Sequence, residues 1–382
     1  MITATKVRIY PTPEQAGFLS QQFGAVRFCY NKALWLMRTR YKRHGVKLRA
    51  KRDIKPILAV AKRSRKYRWL KDFDSISLQQ AVINLDMAFS NFFNPKLRAG
   101  FPCFKSKRGK QSSYHCTSVS AGDNWIKVPK LDRIKARIHR ELIGTVKSIT
   151  LSRTPTGKYY ASILTDDGAI APTPTQTLDH VIGIDMGLTD LCITSDGVKI
   201  PNPRFLKRAT NNLRRKQKAL SRCQKGSRGR AKARLLVAKA HERLANARND
   251  YQHQLSRQFI DDNQGAGLPA VIVETLKIQN LLKNRKLARH IADASWNSLV
   301  AKLTYKAQRA GKHLVKIDPW FASSKTCSCC GHKVESMPLS IRRWDCPSCG
   351  TTGIDRDINA AINIRQQGLI HLRAEGLSVP AS

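Results

Sequence analysis

Acid is what this chain has least of for its size. Across 382 residues stand 26 Asp and Glu against 69 Lys and Arg, a formal charge of +43 at pH 7. Self-repulsion on that scale, spread over the whole length and not confined to a tail, is tolerated mainly when a polyanion neutralises it. It excludes an ordinary charge-balanced surface and predicts nucleic acid as the partner; a merely solvated basic surface rarely needs such an excess. Long apolar runs are lacking too. None approaches the ~20 residues of a bilayer span, so no membrane partner is expected. Nothing at the N-terminus resembles a secretory signal, which predicts a reducing compartment, and no internal repeat is found. Hydrophobic residues make up 41% of the chain, enough for a full core divided among about two to four domains.

Four of the ten cysteines are arranged in pairs. Cys327 and Cys330, then Cys346 and Cys349, form two Cys-x-x-Cys pairs, each followed by glycine, Gly331 and Gly350. Glycine there lets backbone amides turn towards thiolate sulfurs without a Cβ clash. Four thiolates at that spacing suit one tetrahedral zinc ion. Two disulfides or idle thiols are the other options, and a reducing compartment disfavours the disulfides. Cys329 sits inside the first pair, but choosing it as a ligand would leave Cys-x-Cys without the knuckle, so it is expected to be spare. A closed shell of four thiolates leaves no open coordination position, so this metal would hold structure and not activate water. Any chemistry must lie elsewhere.

Along the chain, Thr5–Tyr10 reads as a strand ended by Pro11, and Thr12-Pro13-Glu14-Gln15 opens a helix whose apolar face carries Leu19, Phe23, Val26, Tyr30 and Ala33/Leu34. A second helix after Asp74-Ser75 has the stripe Leu78, Val82, Leu85, Phe89 and Phe92, with Gln79 and Gln80 off it. Glutamine can bond adenine edges in a duplex groove, although two solvated glutamines would look the same. From Phe101 to Asp167 the texture is strand-like, with a hairpin of Val146–Arg153 against Lys158–Leu164 across Thr154-Pro155-Thr156-Gly157. Thr165–Leu178, rich in Thr, Pro and Asp, reads as the clearest linker and the main domain boundary. Phe205–Asp261 reads as a helical hairpin broken at Gly226-Ser227-Arg228-Gly229 and too basic for a protein-packing bundle; a helical arm along phosphates is expected.

Three acids stand out in apolar surroundings. Asp185 lies in the strand Val181–Leu188, Glu274 ends the strand Pro269–Glu274, and Asp357 heads a helix over Asp355–Ile364 with the stripe Ile354, Ile358, Ala361 and Ile362. A buried acid is costly unless it is paired or holds a cation; for Asp185, within Gly-x-Asp-x-Gly, a turn-flanking Asp is the plainer explanation, and any one acid alone would be weak evidence. Together they can cage divalent ions. Oxygen ligands suit magnesium or manganese, and a two-metal site can activate water and stabilise the leaving oxygen of a phosphodiester. The order strand-strand, strand, helix is that of an RNase H-like sheet.

The motifs Arg8-Ile9-Tyr10-Pro11-Thr12 with Tyr30-Asn31, Gly183-Ile184-Asp185-Met186-Gly187, Val273-Glu274-Thr275-Leu276-Lys277, Ser323-Ser324-Lys325-Thr326-Cys327 and Asp355-Arg356-Asp357-Ile358-Asn359-Ala360-Ala361 closely resemble those of the TnpB family over nearly the full length. Members of that family are transposon-encoded RNA-guided nucleases related to type V CRISPR effectors. The resemblance implies a multidomain α+β and α/β chain. A wedge-like β-barrel (1–12 and 96–167) would hold an inserted helical recognition module (13–95). A linker (168–180) would lead to an RNase H-like (RuvC) nuclease domain (181–325 and 351–382) interrupted by a four-cysteine zinc ribbon (326–350). It carries the catalytic, magnesium-binding roles onto Asp185, Glu274 and Asp357, and the zinc ligands onto Cys327, Cys330, Cys346 and Cys349. Asp355 competes for the third place, but the family's acid directly precedes x-Asn-Ala-Ala, and Asp355 suits an N-cap. The implied cofactors are one structural Zn2+ and two catalytic Mg2+ or Mn2+. The implied partners are a guide RNA made from the transposon end and target double-stranded DNA beside a short flanking motif, with one monomer per RNA, in a prokaryotic cytoplasm. A nuclease-inactive RNA-guided repressor and a DNA transposase are the rival readings; retention of all three acids and the Asp, Glu, Asp order argue against them.

Overall fold

The computed structural model describes residues 1–107, 112–261, 268–338 and 340–378; 108–111 of the expected strand-rich region and 379–382 of the expected nuclease region lie outside the described residues. The chain forms two compact units, Met1–Ile170 and Ala171–Ser382.

In the first unit, β1 (Ile2–Tyr10) leads into α1 (Pro13–His44), followed by α2 (Lys55–Ala61) and α3 (Ser75–Phe93). The start of α1 is written locally. The Thr12 hydroxyl accepts from the Gln15 amide, the Gln15 side chain returns to the Thr12 amide, and Pro13 fills the first turn. Gly45, at φ 64°, ends the helix in the left-handed region that favours glycine. The expected apolar face of α1 is buried throughout. The Asp74 carboxylate caps α3 by accepting from the amides of Ile76 and Ser77. Six strands follow: β2 (Ser112–Cys116), β3 (Ser120–Gly122), β4 (Trp125–Lys127), β5 (Ile134–Arg137), β6 (Thr145–Arg153) and β7 (Tyr159–Asp166). The β6–β7 hairpin turns where the sequence predicts it. All pairings are antiparallel, in the order β2-β6-β7-β1-β5-β4-β3. Laid flat, seven strands would hold their edges ~29 Å apart at ~4.8 Å per step. Yet only residues 117–119 join edge strand β2 to edge strand β3, a reach of at most ~15 Å. The sheet is therefore strongly curled, around a core that includes Ile9, Ile126, Ile134, Ile149 and Ile163.

The second unit is built on β8 (Val181–Asp185), β9 (Asp190–Thr194) and β10 (Lys199–Pro201), then α4 (Phe205–Arg222), α5 (Arg228–Asp261) and β11 (Ala270–Val273). After these come α6 (Ile278–Leu281), α7 (Ala288–Ala294), α8 (Trp296–Arg309), β12 (His313–Lys316), β13 (Arg343–Trp344), β14 (Ile354–Asp355) and α9 (Arg356–Ala374). The main sheet runs β10-β9-β8-β11-β12: a three-strand antiparallel meander extended by two strands parallel to β8. Both faces are covered, and the pleat sorts the residues. Ile182, Ile184, Val271 and Val273 pack with α5 and α8 residues such as Phe259, Leu299 and Leu303, while Val181, Ala270 and Ile272 pack with Ile364, Leu369 and Leu372 of α9. Two glycines let α9 lie close. A Cβ on Gly183 would stand 2.2 Å from the Ala361 carbonyl oxygen, and one on Gly368 would stand 2.2 Å from the Ile272 side chain. The buried face of α9 differs from the expected stripe. Asn359, Ala360, Ala361, Asn363 and Ile364 are buried, while Ile358 and Ile362 are only half-buried, because part of the helix packs on a polar loop and not on the sheet.

Candidate active site and metal centre

Ile184 of β8 stands opposite Val273 of the parallel strand β11. The next residue on each is an acid, so Asp185 and Glu274 stand level at the carboxyl ends of neighbouring strands. Alternation puts both on the face that α9 covers, together with Gly183 and Ile272. That absent Cβ at Gly183 lets α9 approach at Ala361 and Arg365, and the first turn of the same helix carries Asp357. Burial foremost, then the charge of Asp357, pushes the Asp185 carboxyl up to about 7. Burial, then Asp185, pushes Glu274 up to about 8, although Glu274 Oε1 accepts from the Met186 amide at 3.2 Å. These acids resist being ionised together, and a cation held among them would relieve both burial and repulsion. Oxygen donors of this kind suit a hard divalent ion.

The two aspartates of the Asp-Arg-Asp run part company. Asp355 is the N-cap of α9: its Oδ1 accepts from the amides of Asp357 (3.1 Å) and Ile358 (3.2 Å), and its Oδ2 accepts from Lys199 at 2.6 Å. Burial works against its ionisation, but Lys199 and the helix amides outweigh it and hold the carboxyl below its usual range. Asp357 is only 23% exposed and receives Arg342 Nη1 on both oxygens at 3.2 Å. Asp357, not Asp355, is the charge that opposes Asp185.

The cysteines converge as the spacing predicts. The sulfurs of Cys327, Cys330, Cys346 and Cys349 all lie within 4.8 Å of one another. Cys327 to Cys349 is 3.8 Å and Cys330 to Cys346 is 3.6 Å, close to the ~3.8 Å edge of a tetrahedron with metal–sulfur bonds of ~2.3 Å. The two knuckles match. Cys327 N donates to His332 O and Cys346 N to Thr351 O, while Gly331 N and Gly350 N return to Cys327 O and Cys346 O. Cys329 is exposed and outside the cluster.

What residue-by-residue reading missed is how the two clusters are joined. Asn359, 2% exposed, donates to Thr326 O (2.7 Å) and accepts from Ser328 N (2.8 Å), gripping the backbone on either side of Cys327. Asn363, one turn on, donates to Ser323 O and Thr326 O. Arg356 Nη1 reaches Pro338 O in the segment between the cysteine pairs. A buried asparagine on a helix is the available signal, since its amide must find partners. Gln79 and Gln80 lie half-buried on α3 in the other unit, where Gln80 donates to Asn84 Oδ1 at 3.1 Å. They are not part of either cluster.

Fold and site together define a strongly basic α/β protein with acids at the carboxyl ends of the parallel pair β8 and β11 of a mixed sheet, and a four-thiol ribbon locked to the helix that carries the third acid. Family models match residues 1–46 ("Helix-turn-helix domain"), 162–285 ("Probable transposase") and 296–364 ("Cas12f1-like, TNB domain"). The chain is 39% identical over 372 residues to a "Putative RNA-guided DNA endonuclease" of Streptomyces pristinaespiralis, covering 96% of this chain and 89% of that one. It is 29% identical over 385 residues to the "Putative RNA-guided DNA endonuclease InsQ" of Escherichia coli (strain K12), covering 96% and 92%. The chain belongs to the TnpB family.

Proposed function

We propose that this protein is an RNA-guided DNA endonuclease encoded by a transposon, hydrolysing phosphodiester bonds at sites that match its guide RNA beside a short flanking motif. The observation that carries the reading is the meeting of Asp185, Glu274 and Asp357, drawn from positions 172 residues apart at the extremes, on one face of a sheet in a +43 chain. The full-length relatives named as RNA-guided DNA endonucleases support it.

In this reading the second unit is an RNase H-like (RuvC) domain, 181–325 and 351–382, interrupted by the ribbon 326–350. The curled sheet of 1–12 and 96–167 is a wedge-like barrel holding the recognition helices 13–95, and 168–180 is the linker. Asp185, Glu274 and Asp357 hold two Mg2+ or Mn2+ ions, and the four cysteines hold one Zn2+ for structure. When bound, the divalent ions supply the Lewis acidity that activates water and stabilises the leaving oxygen. The protein's part is to keep the three carboxylates converged. Asp355 caps α9 and Asn359 fixes that helix to the ribbon, so that Asp357 is presented to Asp185. Long-sequence specificity comes from pairing with RNA; Gln79 and Gln80 can inspect only a few base pairs of the flanking motif. The basic α4–α5 hairpin, with sixteen Lys and Arg against three acids, lies along phosphates. One monomer serves one RNA, in the cytoplasm; no described helix is long and apolar enough to cross a membrane.

The test is reconstitution with RNA. Protein alone is expected to leave double-stranded DNA without sequence-directed cuts. Cognate RNA with Mg2+ should direct cutting to its complement, and a new guide segment should move the cut. Site-directed cutting by RNA-free protein, or a cut position indifferent to the guide, overturns the reading.

A further inference from the structure

The carboxyl edge of the second sheet carries more than acids. Val273 of β11 pairs with Lys316 of β12, so Glu274 stands level with Ile317, and the Thr275 hydroxyl ties the two exits together by donating to Ile317 O at 2.7 Å. Three residues past Glu274 comes Lys277; three past Ile317 comes Trp320. The two meet, with Lys277 Nζ 3.8 Å from the centre of the indole. At ~3.3 Å per residue the pair lies no more than ~10 Å beyond the level of Glu274.

Trp320 is 78% exposed, against 47% for Trp35 and 40% for Trp69, the other exposed tryptophans. That exposure is built and not incidental. Asp318 O accepts from Phe321 N at 3.2 Å, Asp318 Oδ1 accepts from Trp320 N at 2.7 Å, and Pro319 occupies the first corner, so the four residues form a stiff turn. Phe321, partly buried, packs against the cluster that α9 shares with the sheet and anchors the turn. An apolar residue in such a turn could have folded inwards as Phe321 does; the turn instead projects the indole into solvent with a cation on one face.

A large aromatic face beside a positive charge is what an unpaired nucleobase recognises. The base stacks on the indole, and the ammonium meets its phosphate. A base within a duplex already has both faces stacked and gains nothing there. Resting on the reading of the acid cluster as the place where DNA is cut, we infer that Trp320 and Lys277 form a subsite for an unpaired base of the DNA single strand next to the phosphodiester at Asp185, Glu274 and Asp357. Trp320 is thus a positioning residue that holds the strand still as it crosses the acids. It acts on how tightly a single strand is held, with no part in proton transfer.

The experiment uses the RNA-loaded full chain and a single-stranded DNA oligonucleotide containing 2-aminopurine, with Mg2+ withheld so that nothing is cut. Stacking on an indole quenches that base. Quenching by the unaltered protein is expected, together with its loss and a roughly five- to hundredfold weaker affinity in Trp320→Ala, the range that one base–aromatic stack gives. Trp320→Phe should recover most of the affinity, and Lys277→Ala should weaken binding with quenching retained. With Mg2+, Trp320→Ala should raise KM for single-stranded DNA and leave kcat and melting temperature near those of the unaltered protein. Equal affinity and quenching in Trp320→Ala and the unaltered protein overturns the subsite, as does loss of RNA loading in place of DNA binding. Failure of the nuclease reading shows separately, as absence of RNA-directed cutting by the unaltered protein with Mg2+.

Discussion

Two sets of ionisable side chains are tied together through α9, and they are assembled in opposite ways. The four cysteines come from two short knuckles, each turned by its own backbone hydrogen bonds, so the fold presents four sulfurs already spaced for a closed shell. The three acids come from two strands and a helix, and burial first, then a neighbouring acid's charge, pushes the carboxyls of Asp185 and Glu274 up to about 7 and about 8. One set is locally made, yet it too is crowded: although the His332 amide favours the thiolate, burial and the neighbouring thiols push Cys330 up to about 11. The other is globally made, and burial with mutual charge makes its full ionisation unfavourable. The contrast teaches that a cluster closed by two adjacent turns follows from spacing, while one drawn from distant strands and a helix follows only from register and packing.

The comparison breaks most sharply at the acids themselves. Asp185→Ala, Glu274→Ala and Asp357→Ala are each expected to lower RNA-guided cleavage at least ~1000-fold, because several kcal/mol of transition-state stabilisation goes with the cation site, while guide and target binding survive in filter-binding assays. Asp355→Ala should keep measurable activity; a dead Asp355→Ala beside an active Asp357→Ala would reverse the third assignment. Next comes the ribbon. Cys346→Ser should release zinc and melt the C-terminal region, since metal binding here is folding energy, whereas Cys329→Ser should keep about one zinc per chain by elemental analysis. The link between the two sets is tested by Asn359→Ala. Leaving the Thr326 and Ser328 backbone groups unpaired should lower stability by ~1–3 kcal/mol in denaturant unfolding and reduce cleavage without removing an acid. A variant with lowered stability and full activity would show that the ribbon does not position Asp357.

The smallest effect sharpens the contrast through pH. The folded state holds Asp185 and Glu274 protonated well above their ordinary values of 3.8 and 4.5, so it binds more protons than the unfolded chain across that window. The associated stability is complete only below the ordinary values of 3.8 and 4.5 and is lost as pH rises from there through about 7 and 8. Without divalent ions, the melting temperature should therefore fall from pH 5 to pH 8.5. Added Mg2+ should raise it at pH 8.5 and barely move it at pH 5. A melting temperature equally responsive to Mg2+ at both pH values would contradict the buried-acid account.

Much of this was legible in the sequence, for reasons that differ by region. Thr12-Pro13 with Gln15 and Asp74-Ser75 announce helix starts because capping is a matter of three or four adjacent residues. The cysteine knuckles are equally local. Asp185 and Glu274 stood out because an acid at the end of an apolar strand is conspicuous, but that they stand level follows only from the parallel register of β8 and β11. The role of Gly183 was invisible: nothing in Val-Ile-Gly-Ile-Asp says that a carbonyl from residue 361 will occupy the space of its missing side chain. Asn359 and Asn363 misled the stripe of α9, since periodicity counts apolar residues and this helix buries amides against a loop. Trp320 drew no notice because exposure cannot be read from one tryptophan in a turn.

One feature of the first unit reaches beyond the folded molecule. Residues 2–9 of β1 pair with residues 159–166 of β7, the first strand made against the last. A nascent chain emerging at ~5–20 residues per second keeps most of that opening strand unpartnered for roughly 8–30 seconds, with only the short contact to β5 available sooner. During that interval the chain already displays the basic residues of α1 and of the segment after it. A chain made only as far as β6 is therefore cationic and lacks the main partner of its opening strand at once.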